Sequence, residues 1–191
     1  MFYITSHFTA TYEEKQSKFI AHLIPYKSYD ELLAALKAEH PKARHFVTSY
    51  RYLNEFDQIV ENSNDDGEPK GTSGKPTLCV LQGNELINAA VIVVRYFGGT
   101  KLGTGGLVRA YSDAVNMAVR IAQLHLYKKE ICQMISFSYS DMGRVEYECS
   151  KLGVSVVEKF FEAEVRFKIQ AEQESLKALH VALERVIATL S

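Results

Sequence analysis

The sequence predicts an α+β chain of two domains, the second a ferredoxin-like β-α-β-β-α unit. Segments of strand length that alternate apolar with polar residues are interleaved with runs whose apolar residues recur at helical spacing. The pattern then restarts after a short charged connector, Lys128-Lys129-Glu130. The chain has 191 residues and is 47% hydrophobic, enough for one full core or two small ones. A boundary near residues 126–131 gives domains 1–127 and 128–191.

Ser17 to Ile24 alternates and stops at Pro25, as a half-buried strand does. Ser28 and Glu31 have the spacing of a capping box, and Leu32, Leu33, Ala35 and Leu36 follow at helical spacing until Pro41 closes the helix near His40. His45 to Leu53 is rich in aromatic and β-branched residues and is predicted as a strand. Glu61 to Pro76 holds four acidic residues, three glycines and two prolines, which predicts a loop. Two strands are expected next, Leu78 to Gln82 and Ile87 to Phe97, joined at Gly83-Asn84. Past a glycine-rich stretch, Leu107, Tyr111, Ala114, Val115, Ala118 and Ala122 mark one face of a long helix.

The second domain is predicted to begin with a strand over Ile131 to Tyr139. A helix capped by Asp141 then runs to Leu152, with Gly153 as its stop. Val154 to Phe160 and Glu162 to Gln170 are the next strands; in the latter Ala163, Val165, Phe167 and Ile169 share the buried face. A last helix is expected from Gln173 to Leu190, burying Leu176, Leu179, Leu183 and Val186.

Composition excludes several classes. Lys and Arg total 22 against 23 Asp and Glu, so non-specific coating of nucleic acid is excluded and any such contact must be local. Split at the boundary, the first domain carries 13 basic and 13 acidic residues and the second 9 and 10, so neither is a charged tail. Cys79, Cys132 and Cys149 are odd in number and contain no C-x-x-C pair, the pattern of reduced thiols. The N-terminal segment lacks the charged start and apolar core of a signal peptide, and the longest aliphatic run, Ala89 to Val94, is too short for a bilayer. A cytoplasmic protein without membrane contact is expected.

Chemistry concentrates in two segments. Gly98, Gly99, Gly103, Gly105 and Gly106 stand between a strand and a helix, with Lys101 and Thr104 among them. Unpaired amides at a helix start attract anions. Thr104 stands where a phosphate-binding P-loop needs lysine, and Val108 where the dinucleotide pattern needs glycine, so neither ATP nor NAD is indicated. Tight helix-on-sheet packing is the other reading of these glycines. The second segment holds the acids Asp65, Asp66 and Glu68, followed by Lys70, Gly71, Thr72, Ser73, Gly74 and Lys75. Its acids lack calcium-loop spacing, and Ser73 is not in a nucleophile elbow. They are expected to pair with Arg95 or to cap amides, and Pro76 is expected to deny the segment a helix dipole. Between Pro69 and Arg109, Lys70, Lys75, Arg95, Lys101 and Arg109 face only Glu85, a local excess of +4. These cations and glycines form the candidate surface for an anion, with no catalytic residue, metal or cofactor assigned. His40 and His45 are read as structural, and Tyr50, Tyr52, Tyr96 and Phe97 as core rather than base-stacking residues.

Several ordered blocks resemble the IMPACT family. They are Lys15-Gln16-Ser17-Lys18-Phe19-Ile20, His40-Pro41-Lys42-Ala43-Arg44-His45, Asp65-Asp66-Gly67-Glu68-Pro69 with Gly71 to Pro76, Val93 to Gly99, and Leu102 to Tyr111. The resemblance implies a first domain of the βαβ type shared with a small-subunit ribosomal protein and the fourth domain of elongation factor G. It implies a second domain similar to the fifth domain of that factor. Eukaryotic members restrain a stress-activated translation-factor kinase, aided by an N-terminal RWD domain that this sequence does not show. The function expected from the resemblance and the residues together is a non-catalytic, translation-linked protein that binds RNA or a ribosome-associated partner. The alternative is an enzyme acting on a phosphorylated small molecule in the same loop.

Overall fold

The computed structural model describes residues 1–190 and divides into two compact units, the first Met1–Tyr127 and the second from Lys128 onward. In the first, β1 (Phe2–Tyr3) is followed by β2 (Phe8–Glu14), β3 (Ser17–Pro25), α1 (Tyr29–Glu39), β4 (His45–Leu53) and β5 (Ile59–Asn64). Then come α2 (Gly74–Gly83), β6 (Ala89–Tyr96), α3 (Gly103–Ile121) and β7 (His125–Leu126). Five strands form an antiparallel sheet in the order β2-β3-β6-β4-β5, and β1 pairs with β7.

Strand β6 lies at the centre, and its unbroken aliphatic run is explained by burial on both faces. Ala89, Val91 and Val93 pack beneath α2 and α3 with Phe19, Leu81 and Tyr111. Ala90, Ile92 and Val94 face α1 with Ile24 and Leu36.

The structure departs from the sequence reading in several respects here, the short strands β1 and β7 among them. Strand β2 was not anticipated, although Phe8, Ala10 and Tyr12 alternate inward. The expected loop 61–76 shrinks, because Glu61 to Asn64 belong to β5 and Gly74 onward to α2. Leu78 to Gln82 is helical, not a strand, and Pro76 sits in the first turn of α2, where a missing N–H removes no helix bond. Ser28 occupies the N-cap of α1, but its side chain makes no capping bond.

The second unit runs β8 (Glu130–Phe137), α4 (Met142–Lys151), β9 (Ser155–Phe161), β10 (Val165–Glu172), α5 (Gln173–Ala182) and β11 (Ala188–Leu190). The strands lie in the order β11-β8-β10-β9, all antiparallel. This is the ferredoxin-like β-α-β-β-α-β arrangement, completed by a fourth strand that was expected to be helix. Helix α5 stops at Ala182, and turn bonds from the Val186 and Ile187 amides to Leu183 send the chain back alongside β8. Ile135, Phe167, Ile169, Val145 and Leu179 fill its core. Gly153, at φ +67°, ends α4 as expected, whereas Asp141 accepts a bond from the Ser138 hydroxyl instead of capping. Burial, then Glu146, pushes the Cys149 thiol up to about 11, so it stays protonated. Among the described residues no helix is long and apolar enough to cross a membrane.

One buried histidine makes the first unit acid-sensitive. His22 on β3 is 7% exposed, and its Nε2 has no partner. Its Nδ1 lies 2.9 Å from Nε2 of His7. Burial, reinforced by His7 and His40, lowers its pKa to about 4. The unfolded chain therefore takes up this proton near pH 6.5 and the folded one only near 4. Stability present above the unfolded value is lost as pH falls across that window, by up to about 3 kcal/mol. The urea midpoint should fall less between neutral and acid pH in His22→Gln than in the parent. An equal acid loss in both would refute the assignment.

Candidate functional site

Pairing of β4 with β6 sets His45 opposite Arg95, which brings the block around residue 45 to the loop leading into α3. Arg95 also lies opposite Phe19 on β3, with its guanidinium 5.2 Å from the Phe19 ring and 5.7 Å from Phe97. Beyond Phe97 the Gly98 amide donates to the Ser17 hydroxyl at 3.1 Å. A Cβ at Gly98 would sit 2.1 Å from the Gln16 carbonyl carbon, so only glycine fits against this turn. Gly103, at φ +73°, then opens α3.

A buried acid ties these elements together. Arg95 Nη1 donates to Glu68 Oε1, and the Tyr111 hydroxyl, from the buried face of α3, donates to the same oxygen at 2.8 Å. Glu68 is 8% exposed and Arg95 5%. Burial first, then the Glu68 carboxylate, holds the Tyr111 hydroxyl protonated far above its usual range. His45 Nδ1 donates to the Asp66 carbonyl at 2.7 Å, leaving Nε2 facing Glu68 Oε1 at 3.8 Å. The Asp66 carboxylate accepts the Phe46 amide at 2.6 Å, which fixes the loop to the start of β4.

The segment from Gly71 to Gly74 is not open to solvent anions. Its amides and the Ser73 hydroxyl are taken by Asp65: Gly71 at 2.7 Å, Ser73 at 3.2 Å, Gly74 at 2.8 Å and the hydroxyl at 2.7 Å. Asp65 is thus an internal anion at the N-terminus of α2, the helix that Pro76 was expected to prevent. Burial opposes its charge, but these four hydrogen bonds outweigh burial and hold the carboxyl below its ordinary pKa. Thr72 is likewise internal, its hydroxyl donating to the Pro69 carbonyl at 2.7 Å.

The start of α3 is different. Helix α3 has no side-chain cap and no acid in its first turn, and Gly103, Thr104 and Gly105 are exposed. Beside it opens a cleft of about 450 Å³ lined by Arg44, His45, Glu68, Arg95, Phe97, Lys101, Leu102, Gly103 and Thr104, with Pro69 and Leu107. Arg95 Nε is buried without a hydrogen-bond partner. Of the predicted residues, Glu68, Arg95, Lys101, Gly103 and Thr104 meet here. Gly98, Gly99, Gly105 and Gly106 shape the connection without lining the cleft. Lys70, Lys75 and Arg109 are exposed and do not line the cleft. Arg44, His45 and Phe97 were missed as site residues. The signal for them was register: the start of one strand and the end of another meet at one edge of the sheet. Among the described residues no group of three or more His, Cys, Asp or Glu side chains is placed to hold a metal.

Comparison with known proteins bears on what this architecture is. The profile of the Impact N-terminal domain matches residues 15–119, and that of a domain of unknown function, DUF1949, matches residues 135–183. An IMPACT family member of Haemophilus influenzae is 32% identical over 181 residues, covering 92% of this chain and 88% of that protein. The chain belongs to the IMPACT family. Within it, YigZ of Escherichia coli is 42% identical over 115 residues, 59% of this chain and 56% of that one. A crystal structure described only as a hypothetical protein aligns over all of this chain and 96% of its own, at 27% identity and a TM-score of 0.73. The cleft-lining blocks around residues 44, 68, 95 and 103 all fall inside the IMPACT domain match.

Proposed function

We propose that this IMPACT protein is a non-catalytic regulator linked to translation that holds RNA at the cleft beside α3. The observation that carries the reading is the uncapped, exposed first turn of α3 flanked by Arg44 and Lys101. Among the described residues neither cation has a carboxylate partner; Arg44 only overlies the Phe97 ring, at 5.8 Å. Backbone amides, cations and a half-exposed aromatic ring are what a nucleic-acid phosphate and an adjacent base require. The family's link to translation supports the choice of RNA over other polyanions. The cleft volume also falls within the range of small-ligand sites, which favours the second reading, an enzyme for a phosphorylated small molecule.

Binding of a short single-stranded RNA, followed by fluorescence anisotropy, tests the proposal. Affinity should fall linearly with the logarithm of salt concentration, and Arg44→Glu with Lys101→Glu should weaken it at least about tenfold. Arg109→Glu, outside the cleft, should change it less than about threefold. Undiminished binding by the double variant would remove the cleft from the interaction, and no binding by the parent would remove RNA.

A further inference from the structure

We infer that His45 contacts the ligand in its protonated form, so that binding at the cleft takes up a proton; this rests on the RNA reading but concerns the charge state that the site requires. The partner of the ring settles its tautomer. His45 Nδ1 lies 2.7 Å from the Asp66 carbonyl oxygen, which can only accept, so Nδ1 carries a hydrogen. A neutral ring therefore presents at Nε2 a lone pair and no hydrogen to donate. Nε2 is left without a hydrogen bond, since Glu68 Oε1 at 3.8 Å is too far for one. Unlike Arg95 Nε, it is not sealed from solvent: the His45 side chain is 20% exposed and lines the cleft.

The charges around the ring set the direction of the effect. His45 begins β4, and Glu68, from the loop between β5 and α2, faces Nε2. Arg95 lies opposite on β6, Arg44 precedes His45 in the chain, and Lys101 lines the cleft from the approach to α3. The Tyr111 hydroxyl of α3 bonds to Glu68 and stays protonated, and the Asp66 carboxylate is turned to the Phe46 amide. Before a ligand enters, Glu68 is already shared by Arg95 and Tyr111, and three cations stand against one more positive charge on His45. A phosphate oxygen held beside Arg44 and Lys101 reverses that balance. It meets a lone pair on the neutral ring but a charged donor on the protonated one. The proton therefore belongs to the bound state, and by linkage affinity is gained as pH falls and lost as it rises. A ligand hydroxyl or base N–H donating to Nε2 would give the opposite sign.

The test uses the full chain and a short single-stranded RNA without terminal phosphates, so that only the protein titrates between about pH 8 and about pH 6. Across that range affinity should rise at least about fourfold for the parent and for His40→Gln, but less than about twofold for His45→Gln. Calorimetry in two buffers of unlike ionisation enthalpy should find net proton uptake on binding by the parent and almost none by His45→Gln. Should His45→Gln not fold, the His45 imidazole resonances of the parent decide the same point, since RNA should move them towards their protonated position at neutral pH. RNA binding without proton uptake, or affinity that falls on acidification, would overturn the inference and leave the RNA reading in place. Sulfate, which keeps its charge over this range, serves as a second probe. Sulfate binding with the same dependence on pH and on His45, but no binding of RNA, would sustain the proton uptake and overturn the RNA reading. Binding of neither would overturn both.

Discussion

Glu68→Gln should lower the unfolding free energy by about 3 kcal/mol or more, with the loss read from urea or guanidinium midpoints. The side chain keeps its shape, so packing against Arg95 and Tyr111 is preserved and the change is one of charge. What remains is a guanidinium on β6 that is 95% buried with no counter-charge, and burying an unpaired cation is among the largest single-residue penalties known. The neighbouring cations deepen it, since Arg44 lies on the same Phe97 ring. Arg95→Met should destabilise as well, by stranding the carboxylate instead. The double variant Glu68→Gln with Arg95→Met should recover a large part of the summed loss, because it removes the charge rather than orphaning it. Strict additivity of the two single losses would show that Arg95 and Glu68 contribute separately, and would dissolve the network on which the neutral cleft floor depends.

This network shows how far residue order can be read as structure. The long α3 was legible from its helical period, the central β6 from its unbroken aliphatic run, and the strand from His45 to Leu53 from its aromatic and β-branched content. Helix α2 was not. Its apolar core, Leu78 to Leu81, is four residues long, and at that length a helix and a buried strand look alike. Pro76 tipped the reading against a helix, although proline three residues into a helix is harmless. At the C-terminus the apolar spacing of α5 continued past Ala182 into Leu183 and Val186, which pack on the same core from a turn, so periodicity overran the true end.

The site was legible in part for a related reason. Gly98 to Gly106 and Lys101 are contiguous, and their anion character follows from local chemistry. Arg44, His45 and Glu68 reach the same cleft only through strand register and the loop 65–73, which no local window contains. Charge counting over residues 69–109 leaves out two groups at the cleft, because Glu68, the acid that neutralises Arg95, lies just outside that window and Arg44 lies well before it.

Asp65→Ala should destabilise the first unit by about 3 kcal/mol, since it strips one charged acceptor from three amides and a hydroxyl at the start of α2. Asp65→Asn should lose less, because an amide oxygen still accepts but without the charge. The effect carries its own pH signature. The folded carboxyl titrates below its ordinary value, so its contribution is present above about pH 4 and is lost as pH falls through the lower, folded pKa. Acidification should therefore narrow the difference between the parent and Asp65→Ala. There is also a positive test of the internal-anion assignment. With the carboxylate gone, the Gly71, Ser73 and Gly74 amides become a vacant nest at a helix N-terminus, which sulfate or phosphate can enter. Melting temperature should then rise with sulfate more steeply in Asp65→Ala than in the parent. Parallel sulfate responses would mean that the loop collapses when Asp65 is removed, and that its amides are held by the fold and not by the charge.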